Sequence, residues 1–239
     1  MLMKKLIAAI HGILTGQTEP SWPDRFDAWL FQRAPKTKVL KKEYRAGPFP
    51  RWNCCVKDPS LARSLANEIE LFLQPHSPSM PGLWLIAHSN GAVIALLTAS
   101  LLIERGFRIE GMILTGAACE SDIESNGILE WQGRGMLGVA IAYCSREDKL
   151  LEPTVSDPAS PHAVGLRKIG CWLWGKLLWP YGSLGRTGWT LEGKPLSPDT
   201  SGLSTIRTRW FKGGHGTYFA RENCERSFEQ IFRDIRGEE

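Results

Sequence analysis

Leu83-Trp84-Leu85-Ile86-Ala87-His88-Ser89-Asn90-Gly91-Ala92 decides how this chain is read. The apolar run Leu83 to Ala87 has the length and composition of a buried strand. A helical run follows, from Ala92 to Glu104. Between them lies a turn of only a few residues with a serine at its centre. Such a turn lifts the serine hydroxyl off the end of the strand and sets it at a helix N-terminus, where backbone N–H groups and the helix dipole favour negative charge. Small residues are needed on both sides, because the turn brings strand and helix backbones close together. Ala87 and Gly91 meet that need. A serine is a poor nucleophile without a base to take its proton, so the rest of the chain must supply a base, an acid and an oxyanion site.

A base is expected after the last strand. Thr205 to Phe211 alternates as a strand does, and His215 follows within Lys212-Gly213-Gly214-His215-Gly216. The flanking glycines allow the backbone to bend an imidazole toward the serine. An acid, to hold the histidine's tautomer and stabilise its charged form, is expected after the preceding strand. Leu137 to Cys144 reads as that strand, and Ser145-Arg146-Glu147-Asp148 follows it. Asp148 is the favoured acid and Glu147 its nearest rival. Two N–H donors should face the attacked carbonyl. The backbone of Asn90 provides one. The other is assigned to Ile13, in His11-Gly12-Ile13 after the apolar run Leu6 to Ile10, with Gly12 permitting a tight backbone and His11 supporting the loop. His88 is read as structural, with its side chain turned away from Ser89.

Strand and helix patterns alternate along most of the 239 residues, which argues for a mostly parallel sheet of about six strands with helices on both faces. Pro20 to Gln32 reads as a helix starting near Ser21 or Asp24. Thr37 to Tyr44 reads as a strand nearer the sheet edge. Asp58-Pro59 opens a helix, with the aspartate as cap and the proline in the first turn. Arg108 to Gly116 contains a strand, Asp122 to Trp131 a short helix, and Tyr218 to Arg233 a terminal helix. No internal repeat or low-complexity linker divides the chain, so a single domain over 1–239 is expected. The stretch 152–204 breaks the alternation. It is rich in Gly, Pro and Trp, and is a candidate cap or lid insertion, with Trp172, Trp174 and Trp179 as candidates for the substrate pocket or lid. The bland reading of those tryptophans is the packed face of an amphipathic helix.

Composition narrows the function classes. Hydrophobic content of 43% and charged content of 23% are ordinary for a globular protein. The net charge of +4 is mild, and no basic run interleaved with aromatics calls for nucleic acid. None of the six cysteines forms a Cys-x-x-Cys pair, so no metal site is expected. Cys119 and Cys144, at strand ends, are expected to be buried thiols. Gly182-x-x-Gly185-x-x-Gly188 does not follow a strand, and Gly12-x-x-x-Gly16 lacks the Lys-Ser/Thr of a phosphate loop. No cofactor is expected. The apolar run near the N-terminus is shorter than the about 7–15 residues of a secretory h-region, and no run reaches the about 20 residues of a membrane-spanning helix. A cytoplasmic location is the default expectation, with transient contact with a lipid surface left open.

With these pieces in the order Ser, Asp, His, the chain resembles the α/β-hydrolase superfamily, especially small lipase and esterase members with Ala-His-Ser-x-Gly at the nucleophile elbow and His-Gly-(apolar) at the oxyanion loop. The resemblance runs from about Lys5 to Phe219. It implies an α/β-hydrolase fold without the two N-terminal strands of larger members. It also implies cleavage of a small-molecule or lipid acyl ester through an acyl-enzyme on Ser89. The same chemistry would serve a thioesterase, an acyltransferase or a peptidase, and a non-catalytic binding protein on this fold is the alternative from another class.

Overall fold

The computed structural model describes residues 5–13, 20–44, 57–74, 81–151, 182–196 and 203–238. Eight strands and six α-helices lie within them. The strands are β1 (Lys5–Ile13), β2 (Lys38–Tyr44), β3 (Gly82–His88), β4 (Ile109–Thr115), β5 (Leu137–Cys144), β6 (Thr190–Leu191), β7 (Lys194–Pro195) and β8 (Ile206–Trp210). The helices are α1 (Trp22–Arg33), α2 (Asp58–Leu73), α3 (Gly91–Glu104), α4 (Ile128–Gly133), α5 (Leu184–Thr187) and α6 (Cys224–Arg236), with a 3-10 turn at Thr217–Phe219.

Six strands form one sheet in the order β2-β1-β3-β4-β5-β8, and every neighbouring pair is parallel. The expected mostly parallel six-stranded sheet is therefore present. A small antiparallel pair, β6 with β7, lies apart from it. β2 takes an edge, as its polar composition predicts.

Side chains leave the sheet alternately to its two faces. Leu6, Ala8, Ile10, Leu83, Leu85, Ala87, Met112, Leu114, Ala140 and Ala142 pack with α2 and α3. Ile7, Ala9, Trp84, Ile86, Ile113, Ile141 and Tyr143 pack with α1 and α6. Burial on both faces explains why the central strands read as continuous apolar runs. The aligned register, with Ile10 opposite Ala87, His88 opposite Thr115 and Cys144 opposite Trp210, brings the C-terminal ends of β1, β3, β5 and β8 to one rim.

Helix ends follow local chemistry in places and depart from it in others. α1 is capped by Ser21, whose Oγ accepts from the Asp24 N–H at 3.4 Å, with Pro23 in the first turn. Trp22, Phe26, Trp29 and Leu30 are its buried face, and the Trp22 ring stacks on Phe219 at 4.4 Å. Asp58 corrects the sequence reading. It is the first residue of α2, with Lys57 at the cap position, and its fully buried carboxylate accepts from Asn90 Nδ2 at 3.3 and 3.4 Å. This end of α2 is packed against the start of α3, so the carboxylate finds its partner across the core.

Two further elements start later than expected. Asp122 Oδ1 accepts from the N–H groups of Glu124 and Ser125, a local alternative to helix that competes with it. Gly127, at φ 84°, then precedes α4. At the C-terminus, Ala220 is extended (φ −58°, ψ 148°), which separates the Thr217–Phe219 turn from α6. Cys119, Cys144 and Cys224 are free thiols, the first two buried as expected. Burial pushes the Cys144 thiol up to about 12 and Cys119 further in the same direction. Cys54, Cys55 and Cys171 lie outside the described residues.

Candidate active site

Ser89 follows β3 at φ 56°, in the left-handed region that non-glycine residues rarely adopt. Three contacts fix it there. Its N–H donates to the Thr115 carbonyl at 3.0 Å, and its carbonyl accepts from Ala92 and Ala118, both at 3.1 Å. Thr115 also donates its hydroxyl to the Ala87 carbonyl at 3.0 Å, tying β4 to the strand before the turn. A non-glycine residue held at such a φ costs about 1–3 kcal/mol and persists only where its surroundings over-determine it.

Two glycines explain how closely the backbones pass. A Cβ on Gly91 would sit 2.7 Å from the Ile10 carbonyl oxygen and 2.8 Å from that of His11, so the first turn of α3 lies against β1. A Cβ on Gly12 would sit 2.7 Å from Ser89 Cβ, 2.9 Å from the His88 carbonyl oxygen and 3.3 Å from Ser89 Oγ. The end of β1 thus runs directly past the serine. The pairing of β1 with β2 shifts between Ile10 and Ile13, where β1 turns toward this rim. Asn90 caps α3, a helix of 14 residues whose positive end faces the serine.

His215 reaches Ser89 from the loop after β8. Its Nε2 lies 2.7 Å from Ser89 Oγ, and its Nδ1 lies 2.8 Å from Asp148 Oδ2. Asp148 is fully buried, and its other oxygen accepts from the N–H groups of Leu150 and Leu151 at 3.1 and 3.2 Å. A carboxylate oxygen only accepts, so the 2.8 Å contact calls for the tautomer with its proton on His215 Nδ1. That tautomer leaves Nε2 as an acceptor for the serine O–H. The three side chains are 59 and 67 residues apart along the chain and form one hydrogen-bonded line.

Glu147, the rival acid, has a different partner. Its Oε2 accepts from the Gly213 N–H at 2.9 Å, while Ser145 Oγ donates to the Gly213 carbonyl at 2.5 Å. The loop after β5 thereby grips the loop after β8 through its backbone. Arg186, in α5, donates to the Asp148 carbonyl at 2.9 Å. Sequence reasoning missed all three contacts. Ser145 and Glu147 were visible as polar residues beside the acid, but their partner lies 66 to 68 residues away. Nothing in the local sequence of Arg186 pointed to it.

The other predicted residues are placed as follows. His11 is half-buried at the end of β1, its Nδ1 donating to the Gly12 carbonyl at 3.1 Å, and burial lowers its pKa. His88 turns toward the α1/α6 face and lies 3.1 Å through Nε2 from the His215 carbonyl. Burial first, and the neighbouring His215 second, lower its pKa to about 3. Trp172, Trp174 and Trp179, and most of the stretch 152–204, lie outside the described residues. The described part is well packed, with Leu184 and Trp189 buried in the core. A Cβ on Gly185 would lie 2.4 Å from the Ala117 backbone nitrogen. Among the described residues there is no cluster of three His, Cys, Asp or Glu side chains able to hold a metal, and no helix is long and apolar enough to cross a membrane.

No known family model matches the chain, and no curated protein matches it in sequence. Solved structures are similar in fold. An uncharacterized protein from Bacillus cereus is similar at a TM-score of 0.55 and 13% identity, over 98% of this chain and 59% of that one. This chain therefore spans about three-fifths of that protein's length. An arylesterase is similar at a TM-score of 0.49 and 12% identity, over 98% of this chain and 77% of that one. An esterase from Pyrococcus furiosus is similar at 0.48 and 13%, over 97% and 83%.

Proposed function

We propose that this chain, which has the α/β-hydrolase fold, is a serine hydrolase that cleaves carboxylic esters through an acyl-enzyme on Ser89. The observation that carries the reading is the line Asp148 Oδ2 to His215 Nδ1 at 2.8 Å and His215 Nε2 to Ser89 Oγ at 2.7 Å, ending on a serine at φ 56°. In this reading Ser89 Oγ attacks the ester carbonyl carbon while its proton passes to His215 Nε2. Asp148 stabilises the imidazolium so formed and holds the ring's orientation. The carbonyl oxygen, now negative, takes hydrogen bonds from the backbone N–H groups of Asn90 and Ile13. Asn90 is suited to this by its place at the positive end of α3, and Ile13 by the passage of β1 beside Ser89 at Gly12.

When the tetrahedral intermediate collapses, the bond to the leaving alcohol breaks and His215 gives that oxygen its proton. Water then enters, loses a proton to His215 and attacks the acyl carbon. Ser89 Oγ leaves with that proton, and the carboxylic acid departs. The balance needs only ester and water, with no cofactor.

The test is covalent labelling by a fluorophosphonate, which reacts with activated serines, alongside turnover of p-nitrophenyl esters of graded chain length. Labelling of the wild type at Ser89, lost in Ser89→Ala together with turnover, is the expected result. Equal labelling of Ser89→Ala sinks the reading. Absence of both labelling and turnover in the folded wild type would favour a binding role for the fold.

A further inference from the structure

We propose that His88 is a positioning residue for His215, donating its Nε2–H to the His215 backbone carbonyl and so holding the base in register with Ser89. The proposal rests on the reading of Ser89, His215 and Asp148 given above.

The loop that carries His215 is rich in glycine. Gly213, Gly214 and Gly216 flank the histidine, Gly213 at φ 120°. Glycines leave the largest conformational freedom to be lost on ordering, so external contacts must define this loop. Ser145 and Glu147 grip Gly213, two residues before the base. At His215 itself, the backbone carbonyl lies 3.1 Å from His88 Nε2. A displacement of this loop would change the 2.7 Å approach of Nε2 to Ser89 directly.

His88 is well placed to act as an anchor because it is itself held. It is the last residue of β3, opposite Thr115 in the sheet. Its ring meets Phe219 edge-on at 5.5 Å, and Phe219 stacks on the buried Trp22. It also lies 5.0 Å from the His215 ring and 6.3 Å, edge-on, from His11. Gly116, at φ 49°, lies beside both rings: a Cβ there would be in ordinary contact with His88 Nε2 at 3.6 Å and His215 Nδ1 at 3.5 Å.

The chemistry also requires an uncharged donor. The titratable groups facing His88 are the imidazoles of His215 and His11, with Asp148 beyond His215. A cation at position 88 would oppose the imidazolium that forms on His215 during catalysis. Burial and the two imidazoles keep His88 neutral at ordinary pH, so it donates without adding charge.

The experiment compares His88→Phe, which keeps an aromatic ring but removes the donor, with His88→Gln, which keeps a neutral N–H donor. Each is measured for kcat, KM, fluorophosphonate labelling rate and Tm. Misplacement of a catalytic group by about 1 Å can cost about a hundredfold. His88→Phe is therefore expected to lose roughly tenfold to a hundredfold in kcat, with KM within about twofold. His88→Gln is expected to recover most of that loss. Wild-type kcat in His88→Phe would overturn the proposal. So would equal losses in both variants that track Tm, or a change confined to KM. If the wild type itself is not labelled at Ser89, the reading of the site falls and the proposal falls with it. Wild-type behaviour alone separates that outcome from failure of His88.

Discussion

Gly12→Ala is the sharpest perturbation the geometry offers, because one methyl group would enter the space between β1 and the serine. The added Cβ would meet Ser89 Cβ at 2.7 Å and the His88 carbonyl oxygen at 2.9 Å, where ordinary contact begins at 3.4 Å. Relieving the closer contact needs a shift of about 0.7 Å, near the about 1 Å that costs a hundredfold in rate when it misplaces reacting groups. The serine side yields poorly. Its Cβ is set by a left-handed backbone tied to Thr115, Ala92 and Ala118. The shift therefore falls on the end of β1, on the Ser89–His215 bond, or on both, and each carries part of the proposed catalytic geometry. We expect kcat/KM for a p-nitrophenyl ester to fall roughly a hundredfold, with overpacking lowering stability by about 1–3 kcal/mol. Gly133→Ala is the control, since a Cβ there meets nothing within 4 Å. Kinetics with parallel urea melts would decide the matter. A Gly12→Ala protein with the activity and stability of Gly133→Ala would refute the close approach of β1 to Ser89.

Other consequences follow from the same contacts. Asp148→Asn should lower kcat by roughly 10³–10⁴-fold, because an amide cannot stabilise the imidazolium and favours the wrong tautomer; Glu147, engaged with Gly213, should not rescue it, and a pre-steady-state burst assay would reveal any rescue. Gly185→Ala places a methyl 2.4 Å from the backbone at Gly116 and Ala117, so a loss of about 3 kcal/mol is expected in urea unfolding, and an unchanged midpoint would contradict the packing of α5. His88 has a folded-state pKa of about 3 against an ordinary 6.5, so between these values the unfolded chain binds a proton the native state refuses. Stability should thus fall as pH drops through that window, by up to about 1.4 kcal/mol per pH unit. Unfolding of wild type and His88→Gln at pH 7 and pH 5 isolates this contribution, and identical pH slopes would argue against it.

The sequence by itself determined the framework. Apolar runs at Leu6–Ile10, Leu83–Ala87, Met112–Leu114 and Leu137–Cys144 fixed four central parallel strands, because strands buried on both faces have no polar period to obscure them. The order of Ser89, Asp148 and His215, each just past a strand, was enough to nominate three side chains that the fold brings together. Periodicity and turn chemistry act over a few residues, and those features are local. Tertiary structure alone decided the rest. Asp58 beside Pro59 has the local pattern of a cap, yet its carboxylate accepts from Asn90, 32 residues on. Glu147 looked like an acid in waiting until the fold set it against Gly213. Arg186 gained its place only when α5 packed beside the Asp148 loop, and His88 met the His215 carbonyl across 127 residues. Each of these is one polar contact between distant segments. It leaves no trace in spacing or composition, because its partner is chosen by how helices and sheet pack.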